Sequence, residues 1–320
     1  MSARITADVA AARAVLEAGG LVAIPTETVY GLAGDAFRPE TVARIFAAKA
    51  RPHFDPLIVH LADAQQLPRV ARDIPDLAWR LAREFWPGPL TMVLPKQEGV
   101  PDLVTSGLDT VAVRVPDHPL TTQLLRASGL ALAAPSANPF GYLSPTLASH
   151  VAEQLGDTID LILDGGPCRV GVESTIVRVD ASGVTLLRPG GISVEQLESV
   201  CGSVQTLAPG RHQQPVAPGL LPSHYAPRKP LQLVEDWPSL AERSQLGCLT
   251  CEQPAPTGFL ACETLPADEH WVGAAAHFFQ ALHRLDQAPV AGLVAKLFPE
   301  QGLGLALNDR LRRAAAPKEP

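Results

Sequence analysis

Four sets of polar residues stand in or just after apolar runs, the places where an open α/β sheet binds its ligands. Thr26, Glu27 and Thr28 follow Leu21-Val22-Ala23-Ile24 and Pro25. His60 lies in a second apolar segment, and Arg114 sits in a valine-rich one. Ser136 and Asn138 follow Leu130–Ala134 and are bracketed by Pro135 and Pro139. Lys49, Arg51 and Arg188 are the basic members of the set. A guanidinium fork matches phosphate oxygens, and Arg188 stands beside the tight turn Pro189-Gly190. Each residue also has a structural reading. The threonines can cap an element. His60 can be a core histidine, and Arg114 can pair with a carboxylate. Ser136 and Asn138 can be turn residues. Lys49 and Arg51 can answer a helix C-terminal dipole. Several familiar sites are absent: a Walker-type loop, a Gly-x-Gly-x-x-Gly turn, a Gly-x-Ser-x-Gly elbow and a His-Glu-x-x-His pair.

The elements that must position these residues alternate between helix and strand. Thr6–Ala18 reads as a helix stopped by Gly19-Gly20. Strands are expected at Leu21–Ile24, Pro56–Leu61, Leu90–Leu94 and around Val111, Val113 and Val115. A further strand is expected at Leu130–Ala134, with β-hairpins near Thr175–Leu187. Helices are expected at Pro39–Lys49, from Pro75 to Phe85 and at Leu120–Ser128, while Ser149–Leu155 and Ile159–Leu163 continue the mixture of helix and strand. Ser193 and Gln196 suit a capping box for a helix to Ser199. The fold class is α/β with a mixed sheet.

A chain of 320 residues favours one large domain and a smaller one. Prolines crowd the stretch from Val204 to Pro230, where neither helix nor central strand can persist. The expected division is a catalytic domain at 1–203, a Pro-rich linker at 204–230 and a small α/β domain at 231–320. Helices in that last domain are expected at Gly273–Leu285 and Leu303–Ala315. The formal charge of -7 disfavours general nucleic-acid binding. No run is long enough for a membrane helix, and no signal peptide is legible. Five cysteines suit free thiols in a reducing cytoplasm. Cys248 and Cys251 have a zinc-compatible spacing, with Cys262 and His270 further on. No second such pair accompanies them, and buried thiols are the preferred reading.

Taken in order, the segments resemble the YrdC/Sua-type family. The resemblance rests on Pro25–Leu32, Lys49-Ala50-Arg51-Pro52, Asp55-Pro56-Leu57 and Trp86–Thr91. It continues through Val113–Pro116, Pro135–Asn138, Ser144-Pro145-Thr146, Glu173–Ile176 and Leu187–Gly190. Pro218-Gly219 and His224-Tyr225-Ala226-Pro227 resemble the longer members. The resemblance implies an L-threonylcarbamoyladenylate synthase, which joins L-threonine, bicarbonate and ATP and releases pyrophosphate. Its product would pass through other proteins to the adenosine beside the anticodon of certain tRNAs. The implied fold is a twisted mixed sheet enclosing a large cavity, with a small Rossmann-like C-terminal domain.

By that resemblance Thr28, His60, Arg114, Ser136 and Ser174 would hold threonine. Lys49, Arg51, Asp55, Asn138, Ser144, Arg188 and Tyr225 would surround ATP, with Thr110 giving a backbone contact. Mg²⁺ would bridge the phosphates and take few protein ligands. No covalent nucleophile is implied, because positioning and charge neutralisation suffice. Two residues depart from the family pattern. Asp55 stands where Asn is common, and Phe140 stands where a small Ser often follows. His224 and Tyr225 suggest a linker that closes over the cavity as a lid. Two other readings remain open at this point. One is a non-catalytic RNA-binding module of the same fold. The other is the carbamoyl-adenylate domain of hydrogenase maturation, whose zinc-finger and acylphosphatase regions are not seen here.

Overall fold

The computed structural model describes residues 3–52, 54–206, 217, 219–221 and 224–317. Pro209, Pro215, Pro218 and Pro222 lie outside the described residues, and with them about half of the expected linker.

Eleven strands form one mixed sheet. They are β1 (Arg4–Thr6), β2 (Val22–Ile24), β3 (Gly31–Asp35), β4 (Ile58–His60), β5 (Leu90–Pro95) and β6 (Thr110–Arg114). The series continues with β7 (Leu132–Ala133), β8 (Leu161–Leu163), β9 (Thr175–Asp180), β10 (Gly183–Arg188) and β11 (Val204–Thr206). Their spatial order is β1-β8-β2-β3-β7-β4-β6-β5-β9-β10-β11. The helices are α1 (Val9–Glu17), α2 (Pro39–Lys49), α3 (Asp76–Phe85), α4 (Asp102–Thr105), α5 (Pro119–Ser128), α6 (Ala148–Leu155) and α7 (Val194–Cys201). The large sheet thus runs to Thr206, past the expected boundary at 203.

Local chemistry explains where sequence and structure part. The first helix starts at Val9 rather than Thr6, because the Asp8 carboxylate caps the amides of Ala10 and Ala11. Thr6 instead pairs with Leu163 at the edge of the sheet. β3 has no alternating pattern, since Gly31-Leu32-Ala33-Gly34 is buried throughout. Gly34 is required there: a Cβ would stand 2.5 Å from Thr41 Cγ2. The capping box at Ser193 and Gln196 is present, and its helix runs to Cys201.

A second, fully parallel sheet has the order β12-β15-β13-β14. Its strands are β12 (Leu231–Leu233), β13 (Leu246–Thr250), β14 (Ala261–Thr264) and β15 (Gly292–Ala295). Its helices are α8 (Leu240–Arg243), α9 (Val272–Gln287) and α10 (Gly304–Ala315). All five cysteines are free.

The two sheets share a core. Val29, Leu143 and Val172 from the first pack in one apolar cluster with Phe278, Phe279 and Leu282 of α9 and with Leu307 and Leu311 of α10. Polar contacts line the same seam. His150 of α6 stacks on His283 of α9 with ring centroids 3.9 Å apart. His283 Nε2 donates to the Ser144 carbonyl at 3.1 Å. His150 Nδ1 accepts from the Thr146 amide at 3.3 Å.

Burial pushes both histidines down, His150 to about 3 and His283 to about 4. An unfolded histidine titrates near 6.5. Between those values the unfolded chain binds protons that the folded chain refuses. Stability is therefore intact above about pH 6.5 and falls as the pH drops below it. Calorimetry from pH 7.5 to 5 should show a falling melting temperature. His150→Phe keeps a stacked ring and removes one titrating group, so its decline should be shallower. A wild-type melting temperature flat over that interval would refute this account.

Candidate active site

The C-terminal end of β4 lies beside that of β6, in parallel, with His60 opposite Arg114. Residues 25–30 connect β2 to β3, and the Arg114 side chain reaches them from β6. Thr26 organises this connection. Its hydroxyl donates to the Val29 carbonyl at 2.6 Å and accepts from the amides of Thr28 and Val29. That turn directs Glu27 and Thr28 at Arg114. The guanidinium meets Glu27 Oε1 at 2.6 Å and Thr28 Oγ1 at 2.9 Å, and donates to the Gly88 carbonyl at 3.2 Å. Glu27 also accepts from the Asp117 amide. His60 Nδ1 donates to the Ile58 carbonyl at 3.2 Å. Burial, and then the charge of Arg114, lower His60 to about 3, so it is neutral near pH 7.

A second group forms where α2 ends. Ala50 takes a left-handed conformation at the helix C-cap, which turns the chain into Arg51. Lys49 is 1% exposed, and its ammonium donates to the carbonyls of Ser136 and Asn138. It thereby holds the loop after β7. Burial, and then the neighbouring Arg51, pull its pKa well down. Arg51 meets Asp55 at 2.8 Å and donates to the Pro56 carbonyl at 2.9 Å. Asp55 is fully buried. Burial raises its pKa, against the pull of Arg51, Lys49 and Arg188. The carboxylate thus faces three cations.

The third group joins β9 and β10 to the linker. Arg188 donates to the Ser174 carbonyl at 2.8 Å, and Ser174 Oγ lies 2.8 Å from Thr91 Oγ1. Glu173 accepts from Ser144 Oγ and pairs with Arg310 of α10 at 2.8 Å. Asn138 is buried, and its amide donates to the carbonyls of Pro139 and Tyr142. Phe140 packs edge-on to His224 at 5.6 Å and carries the Arg51 guanidinium at 5.8 Å. The departure at Phe140 therefore supplies an aromatic surface for the linker histidine.

These groups enclose one cavity. Its walls include Thr28, His60, Arg114, Ser136 and Ser174, together with Arg51, Arg188 and Tyr225. Lys49, Asp55 and Ser144 stand behind that wall and bond to its members Ser136, Arg51 and Glu173, and Asn138 stands behind it through its carbonyl bond to Lys49. The structure does not bring Thr110 there. It starts β6 opposite Pro95, four residues from Arg114 along an extended strand. The cavity is not large: its volume is about 50 Å³. Sites for small molecules usually measure about 300–1,000 Å³. Gly219, His224 and Tyr225 are part of the wall and narrow the space. Admitting a nucleotide requires the linker residues to move.

Sequence reasoning assigned no role to Glu27, Glu173 or Arg310. The first two stand inside the recognised segments, next to residues that were singled out. Arg310 had a visible signal. It falls on the apolar stripe Leu303, Leu307, Leu311 and Ala314, at helical spacing, where a charge needs a partner.

Comparison with known proteins places the whole chain. Residues 14–190 match the Sua5, YciO and YrdC family model, described as telomere recombination. Residues 192–316 match the model described as threonylcarbamoyl-AMP synthase, C-terminal domain. A threonylcarbamoyl-AMP synthase from Pyrococcus abyssi is 43% identical, covering 93% of this chain and 91% of that protein. One from Bacillus subtilis is 41% identical, covering 96% and 92%. The crystal structure of P. abyssi Sua5 complexed with L-threonine superposes with a TM-score of 0.89 and 39% identity, over 96% of this chain and 94% of that one. The chain belongs to the Sua5/YciO/YrdC family, in its long form with the Sua5 C-terminal domain.

Proposed function

We propose that this protein is a threonylcarbamoyl-AMP synthase, making threonylcarbamoyl-AMP and pyrophosphate from L-threonine, bicarbonate and ATP. The observation that carries this reading is the division of one buried cavity into two polar groups. Arg114, Thr28 and neutral His60 form one. Arg51 and Arg188, with Lys49 behind them, form the other.

The first group suits an amino acid. A fixed guanidinium at 2.9 Å from a threonine hydroxyl is a ready receptor for a carboxylate. Glu27 orients Arg114 before the substrate arrives. Ser136 and Ser174 add hydroxyls on the facing walls. The second group suits a triphosphate. Arg51 and Arg188 supply forks, while Ser144, Asn138 and Tyr225 build the surrounding surface. Asp55 serves as the counter-charge that allows Lys49, Arg51 and Arg188 to be buried together. Mg²⁺ would enter with ATP as part of the substrate and offset phosphate charge. Asp55 and Glu173 are the carboxylates near that end, and each is already engaged by an arginine.

The chemistry needs no protein nucleophile. Threonine's amine condenses with bicarbonate to a carbamate with loss of water, and a carbamate oxygen then attacks the α-phosphorus as pyrophosphate leaves. The arginines neutralise the charge that grows on the leaving phosphates. Closure of His224 and Tyr225 would exclude water from a reactive mixed anhydride. A structure of a P. abyssi Sua5 variant, with a histidine and a tyrosine both replaced by alanine, covers 98% of this chain at a TM-score of 0.90. We take the product to pass to other proteins that modify tRNA. The net charge of -7 argues against broad tRNA binding by this chain itself. Five free cysteines fit a reducing cytoplasm. No helix among the described residues is long and apolar enough to cross a membrane.

Pyrophosphate release measured with MgATP should depend on both L-threonine and bicarbonate; release indifferent to either sinks the reading. Arg114→Ala should raise the threonine KM by about tenfold or more while leaving the ATP KM within about twofold. Arg51→Ala should do the reverse, and equal effects on both ligands would remove the proposed division. Glu27→Ala strands Arg114 in a dry site and should cost about 3–5 kcal/mol in urea unfolding. A loss below about 1 kcal/mol would mean that water reaches the guanidinium.

A further inference from the structure

The C-terminal domain delivers one charged side chain to the active site. Arg310 is 0% exposed. Its Nε donates to Glu173 Oε2 at 2.8 Å, and its Nη1 donates to the Pro189 carbonyl at 2.8 Å. Asp309 holds the same Nη1 at 2.8 Å and also binds Arg313. The guanidinium carbon lies 5.1 Å from the centre of the Tyr225 ring.

Each contact leads to a different piece of the proposed nucleotide end. Glu173 uses its other oxygen to accept from Ser144. Pro189 follows Arg188 directly, so a bond to its carbonyl fixes the turn that aims Arg188. The Tyr225 ring rests between Arg310 and the α9 residue Phe279, at 5.9 Å from the latter. Its hydroxyl and Arg188 Nη1 both border Gly219, at 2.4 and 2.9 Å from where a Cβ would stand.

We propose that Arg310 is a positioning residue through which the C-terminal domain sets the nucleotide end of the cavity, holding Glu173 for Ser144, the turn after Arg188, and the Tyr225 ring. A helix that served only to cover the core would place an apolar side chain on that stripe. Instead it places a guanidinium, whose several donors can reach three segments at once. The partners of Arg310 lie on the Ser144 and Arg188 side of the cavity. The inference rests on the assignment of that side to ATP.

The test uses the full-length protein and varies ATP and threonine separately. Arg310→Met should raise the ATP KM by about tenfold or more, with the threonine KM within about twofold. Arg310→Lys keeps the charge beside Glu173 but cannot span to Pro189 as well, so its ATP KM should be intermediate. Arg312→Met, on the exposed face of the same helix and paired with Glu300, should match the wild type. An unchanged ATP KM in Arg310→Met, or a fall in kcat with both KM values unmoved, overturns the proposal. If that variant does not fold, Arg310→Lys decides, and a wild-type ATP KM there overturns it. Direct titration of ATP without threonine separates the two levels. Should the wild type bind ATP yet release no pyrophosphate, the synthase reading fails. Weakened ATP binding in the Arg310 variants would still support the positioning role.

Discussion

Burying several cations around one small space is possible only if anions are buried with them. Removing an ion from water costs several kcal/mol even after relaxation, and only close pairing with satisfied hydrogen bonds offsets it. The architecture follows from this constraint. Arg114 has Glu27, Arg51 has Asp55, and Arg310 has Glu173. In each pair at least one partner stands beside a strand end or on a loop of the large sheet. The pairs form a ring of fixed charge whose basic members outnumber its acidic ones once Lys49 and Arg188 are counted. A polyanion with a carboxylate-bearing co-substrate complements that excess.

The same constraint explains why the cavity is small. Guanidinium groups held this tightly leave little free volume, and His224 and Tyr225 fill much of the remainder with aromatic rings. The rings do more than occupy space. His224 packs on Phe140, and Phe140 carries Arg51. Tyr225 packs on Arg310, which holds Glu173. Moving the linker therefore disturbs the environment of two of the three ion pairs. Entry of a ligand and rearrangement of charge are mechanically joined, with no need for a separate sensor.

Much of this was legible in the sequence, and the exceptions have identifiable causes. Helix α2 could be read to its last residue, because proline opens it and apolar spacing carries it to Lys49. The capping box at Ser193 was readable for the same reason: a local hydrogen-bond pattern has a local sequence. β3 was not readable, because a strand buried on both faces and built with glycines has no period. The cavity's members were recognisable as a set. Their pairings were not, since Arg114 and Glu27 are 87 positions apart and Arg310 and Glu173 are 137 apart. Lys49 shows the same limit. Its type suggests a phosphate ligand, yet it spends its protons on two carbonyls of the loop it supports.

The two departures from the family pattern become intelligible only through such pairings. A carboxylate at Asp55 would repel phosphates if it lined the cavity. It is instead fully buried against Arg51, within the fields of Lys49 and Arg188, where its charge is what permits theirs. An aromatic ring at Phe140 would crowd a nucleotide if it pointed inward. It lies instead between Arg51 and His224, and so connects a phosphate-side cation to the closing segment. Both substitutions sit on Arg51, one on its charge and one on its flat face. A change at either is thus a change in how Arg51 is held, and the two positions should be read together.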